Sequence, residues 1–106
     1  MTEELFIEKE FSKLDFFTDR IVKVHGAHHP ELSDVRELFV RIKAKTEEDP
    51  CANVSSELAQ LAEVTHGYEV PADACEGYRT TYDLLRSFHD LSRKKDAFPA
   101  SQINHQ

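Results

Sequence analysis

What most constrains this chain is a hydrophobic pattern at helical spacing, cut into four pieces by the few residues that break helices. Ile7, Phe11, Leu14, Phe17, Ile21 and Val24 recur three and four apart, and Leu5, Phe6, Phe16 and Val22 widen the stripe. That spacing predicts one amphipathic helix over 3–25. Gly26 follows as the expected left-handed exit, before the bend Ala27-His28-His29-Pro30. Pro30 suits a first helical position, where a missing N–H costs nothing. Leu32, Val35, Leu38, Phe39 and Ile42 then predict a second helix over 30–46, ended by Glu47-Glu48-Asp49-Pro50. Val54, Leu58, Leu61, Ala62 and Thr65 predict a short third helix over 52–66, closing at Gly67. Asp73, with Glu76 three residues on, has the reciprocal capping pattern and is expected to open a fourth helix over 73–95. Cys75, Tyr78, Tyr82, Leu85 and His89 form its stripe, and residues 97–106 show no period and are expected to be a flexible tail.

Four helices on short links predict an all-α, antiparallel, up-down-up-down four-helix bundle, because each short link reverses the chain. A length of 106 residues allows one core, so residues 1–96 are read as a single domain. Thirteen Lys and Arg against 20 Asp and Glu give a net charge of −7, which repels phosphate backbones and anionic lipid heads. Arg93-Lys94-Lys95 is too short a basic run to reverse this, so neither nucleic acid nor membrane is an expected partner. The chain carries no long apolar run and begins with acidic residues, which reads as cytoplasmic. Pairs four apart, Asp19 with Lys23, Glu37 with Arg41 and Arg86 with Asp90, read as solvated helix faces.

The same topology sorts the chemically interesting side chains. His25, His28, His29, His66, Tyr68 and Cys75 are expected at one end of the bundle, and Cys51 and His89 near the other. Cys51 and Cys75 would then start helices roughly 20 Å apart, so no disulfide joins them. Cys75, on the core stripe, is expected to be a small buried residue, and Cys51, after Pro50, to be exposed. The histidines of the first turn are read as lying off any helix face, without the i, i+4 register that aims two ligands at one ion. No catalytic residue, metal site or cofactor is therefore expected. The competing reading places one iron or zinc ion at this end, with His25, His66 or Cys75 as ligands. The many phenylalanines of the first helix call for an aromatic-rich core, or for an edge at Phe6 or Phe16 that faces a partner.

Three stretches carry a resemblance. They are Val24-His25-Gly26-Ala27-His28-His29-Pro30-Glu31-Leu32 with Val35-Arg36-Glu37-Leu38-Phe39, Gly67-Tyr68 with Val70-Pro71, and Asp73-Ala74-Cys75 with Tyr78-Arg79 and Tyr82. Together they resemble the hemerythrin-like domain of the iron–sulfur cluster repair (Ric) family, di-iron bundles linked to nitric-oxide and oxidative stress, over most of residues 4–92. The resemblance implies a hemerythrin-like bundle whose four helices supply His and Glu to two irons. Carried over by position, the helix-one histidine falls on Glu4, and the ligands ending helix two fall near Asp49 and Asn53. Those opening helix three fall on Pro50 and Cys51, and those of helix four near Lys95 and Pro99. None of these keeps the family's ligand, although His25 matches the histidine before the first turn. Helix-two positions counted forward and helix-three positions counted backward meet on residues 49–53, so the resemblance implies a bundle shortened through its iron-bearing half. The cysteine-bearing N-terminal domain of many members has no counterpart in these residues. The expectation is a non-catalytic, stress-related protein without its di-iron site, acting through a protein partner or self-association, with a dimer as one form. A reading independent of the resemblance is an immunity protein or antitoxin, since small acidic helical bundles also serve by binding a toxin.

Overall fold

The computed structural model describes residues 2–104, and side chains over 2–94. It is all-helical, with four helices and no strand among the described residues: α1 (Glu3–His25), α2 (Glu31–Glu48), α3 (Ser55–Val64) and α4 (Glu76–Asn104). Helix α1 packs against α2 and α4, and α2 against α3.

Each helix buries most of the stripe its sequence supplies, with Val24 at the end of the first stripe 59% exposed. Helix α1 turns Phe6, Phe11, Leu14, Thr18 and Ile21 inward, and α2 turns Leu32, Val35, Leu38, Phe39 and Ile42. The phenylalanines divide the two roles the sequence offered them. Phe6 is in the core, where Phe11 lies 5.1 Å from Phe39 and 5.0 Å from Phe88 between ring centroids, whereas Phe16 is 60% exposed. Such edge-on aromatic contacts add about 0.5–1.5 kcal/mol beyond area burial. Tyr78 and Tyr82, 5.0 Å apart, continue the core toward the start of α4.

Polar ties fix the neighbours. The Arg36 guanidinium on α2 donates to the Asp15 carbonyl (2.9 Å), the Asp15 carboxylate (2.7 Å) and the Thr18 hydroxyl (2.9 Å) of α1. Glu57 on α3 is buried; burial works against its charge, but the Lys45 ammonium of α2 at 2.6 Å, its own backbone N–H and the Arg41 charge together hold its carboxyl below the usual range. Asp19–Lys23 (3.0 Å) and Glu37–Arg41 (2.9 Å) form on outer faces as the spacing requires. Arg86 does not take Asp90: its guanidinium donates to the Gly67 carbonyl, and Asp90 pairs with Arg93.

Several local expectations are corrected. Gly26 is right-handed, with φ −60°, and its role is steric: a Cβ there would lie 2.4 Å from the Val22 carbonyl oxygen. Helix α4 opens at Glu76 and not at Asp73, because the Asp73 carboxylate is drawn to His29 and the Cys75 thiol takes the capping place, accepting from the Tyr78 N–H at 3.5 Å. That shift takes Cys75 off the buried stripe, so it is exposed like Cys51, and both cysteines are free. The helical backbone of α4 also runs to Asn104, past the end expected at residue 95. Residues 105 and 106 of the stretch read as a tail lie outside the described residues.

Candidate functional site

The turn between α1 and α2 is itself helical in character. The His29 N–H donates to the His25 carbonyl at 2.9 Å, which sets the two residues four apart on one side of the chain. The i, i+4 relation denied to these histidines on sequence grounds is thus present for His25 and His29, and both rings stand edge-on to Tyr78 at 5.2 and 5.6 Å. The signal was available in the spacing, but Gly26 and Pro30 concealed it by marking the segment as a bend. His28 faces solvent.

The segment leading into α4 closes over these rings. His25 Nε2 lies 3.2 Å from Cys75 Sγ, and His29 Nε2 lies 3.1 Å from both oxygens of Asp73. Glu31 reaches the other nitrogen of His29 at 3.4 Å. The Asp73 hydrogen bond, aided by the charges of Asp73 and Glu31, raises the His29 pKa above its ordinary value, while the same bond lowers that of Asp73. Two connections distant in sequence are thereby clasped: the α1–α2 turn by its imidazoles, the α3–α4 link by a carboxylate and a thiol.

Beneath the clasp is a pocket of about 190 Å³, lined among others by His29, Glu31, His66, Glu69, Tyr78 and Tyr82. His66, on its lining, opens a left-handed turn in which His66, Gly67 and Tyr68 have φ of 53°, 73° and 65°. Non-glycine residues rarely adopt such angles, and here two of them flank a glycine. The turn also redirects Tyr68, whose hydroxyl meets His89 Nδ1 at 2.8 Å. Sequence reasoning put these two at opposite ends. Helix α3 has only ten residues and climbs about 15 Å, so its exit stands partway along α4. Burial pushes the Tyr68 hydroxyl up and the His89 imidazole down, which favours a neutral phenol hydrogen-bonded to a neutral ring.

The three residues considered as ligands therefore separate into a pair and a singleton. His25 and Cys75 touch, while His66 lines the pocket. Among the described residues, no group of three or more His, Cys, Asp or Glu side chains is arranged to hold a metal ion. At the other end, Cys51 Sγ stands 4.0 Å from a Glu4 carboxylate oxygen. Lys95 and Pro99 fall in the part of α4 outside the described side chains. No helix is long and apolar enough to cross a membrane, among the described residues. Comparison with protein-family models, curated proteins and solved structures finds no match.

Proposed function

We propose that the four helices form an antiparallel up-down-up-down bundle, a shortened relative of the hemerythrin-like domain of the iron–sulfur cluster repair family. In this reading the di-iron site has been lost, and the protein acts in a stress-related role through contacts with another protein or a second copy of itself, without catalysis. The observation that carries the reading is the use made of residues 49–53, the positions to which the resemblance assigns ligands from two helices. Asp49 Oδ1 accepts the Cys51 N–H at 2.9 Å, and Asn53 Oδ1 accepts the Ser55 N–H at 2.9 Å and its hydroxyl at 2.6 Å. These side chains are spent on turning the chain from α2 into α3, the local role that short polar side chains favour. Phe16 and Val24, 60% and 59% exposed, supply apolar surface for a partner.

Thermal melts with and without anaerobic excess ferrous ion test the reading. A ligand bound only by the folded state raises the melting temperature. The expected outcome is no change, and an increase of several degrees that tracks ferrous concentration contradicts the proposal.

A further inference from the structure

We propose that Cys75 and His25 form a nucleophilic thiol site that takes up small disulfides by thiol–disulfide exchange, ending in a mixed disulfide on Cys75. The inference uses neither the family resemblance nor the pocket beneath the clasp.

The pair has the makeup of an activated nucleophile, a thiol and a base within reach of one another. His25 Nε2 lies 3.2 Å from Cys75 Sγ, and the two residues stand 50 apart in sequence, so the fold is what brings them together. The base is held in place. It is half-buried, its ring stands edge-on to the buried Tyr78 at 5.2 Å, and its carbonyl accepts the His29 N–H. The thiol is exposed, so a reagent in solvent can reach the sulfur.

The position also suits a charged sulfur. Cys75 stands at the entry to α4 and its Sγ accepts from the Tyr78 N–H at 3.5 Å, an amide of the first turn that the helix leaves without a carbonyl. Transfer of the thiol proton to His25 therefore leaves a thiolate between an imidazolium and the positive end of a helix. The acidic neighbours oppose this little: Asp73 is bonded to His29 at 3.1 Å, and Glu76 is exposed, where water and salt screen its charge.

The position of the second cysteine selects the electrophile. Cys51 stands by Glu4, at the opposite end of α1 from His25 and about 30 Å away by the rise of that helix. A peroxide would leave a sulfenic acid on Cys75 with no thiol of the same chain in reach to condense with it. A disulfide needs no second thiol. The Cys75 thiolate attacks one sulfur of R–S–S–R, the new S–S bond forms as the old one breaks, and the leaving thiolate takes the proton held on His25. The Cys75 sulfur is oxidised and the leaving sulfur reduced, with no further reactant.

Cys51, also exposed but beside a carboxylate in place of an imidazole, is the internal reference. Reduced protein is treated with dithiodipyridine at pH 6, where an ordinary thiol is almost entirely protonated. Aliquots are quenched with acid, and peptide mass spectrometry assigns the modified cysteine. The expected result is a mixed disulfide on Cys75 about ten-fold sooner than on Cys51, a gain in thiolate partly offset by the lower nucleophilicity of a stabilised one. His25→Asn keeps a polar side chain but removes the proton acceptor. It should bring Cys75 down to the rate of Cys51 while the Cys51 rate and the circular dichroism stay as in the wild type. Wild-type protein unfolded in urea should lose the preference too, which serves if the variant does not fold. Equal rates at the two cysteines of the folded protein overturn the proposal. So does an excess at Cys75 that persists in a folded His25→Asn variant or in urea.

Discussion

His29 and Asp73 stabilise each other's charged form, and this gives the clasp a pH dependence whose sign can be worked out. His29 is raised above its ordinary value of 6.5, so its contribution is whole below 6.5 and lost as pH rises through the raised value. Asp73 is lowered below 3.8, so its contribution is whole above 3.8 and lost as pH falls through the lowered value. The pair therefore stabilises most between about pH 4 and 6.5. Asp73→Asn should lower the melting temperature most near pH 5, and the gap to the wild type should narrow by pH 8.5, as melts at the two pH values would read. A gap independent of pH would show that the pairing contributes no charge-linked stability. The gathering of His25, His29 and Cys75 at one end was legible from the sequence, and the place of Asp73 among them was not. Their partners were not legible either, because Asp73 in a capping pattern and Asp73 as an imidazole partner look alike until the two connections meet. The same ambiguity misplaced Cys75, which its spacing put in the core and its actual capping place exposes.

At the scale of the helices, spacing located the elements well, since an amphipathic stripe must bury itself whatever the details of its ends. Helix α1 matches the expected bounds, whereas α3 is confined to Ser55–Val64 by caps and turns that periodicity does not register. Gly26 shows how the right residue can be read for the wrong reason. Its conformation is open to any residue, but its closeness to the Val22 carbonyl is not. Gly26→Ala should therefore cost about 1–3 kcal/mol through overpacking, read as a lower urea midpoint at unchanged slope. An unchanged midpoint would mean that the turn relaxes freely. The left-handed turn at 66–68 is the opposite case: Gly67 marked a helix end correctly, yet nothing in His66 or Tyr68 announced that both would share its backbone conformation.

For the molecule as a whole, the class of fold was carried by the sequence pattern and function was not. A stripe of apolar residues states that a helix buries one face, and the count of stripes states how many helices share the core. Function depends on what remains on the outside, where Phe16, Val24 and Val40 are exposed on a surface of net charge −7. Among the described residues, the positions assigned to iron by resemblance hold side chains engaged in turns or exposed to solvent. The central claim joins a lost di-iron centre to a role in protein contact, and native mass spectrometry of untagged protein purified without chelator reads both at once. The account predicts the 12.2 kDa chain, as one copy or a whole multiple of it, free of iron. A chain that carries two irons would contradict it.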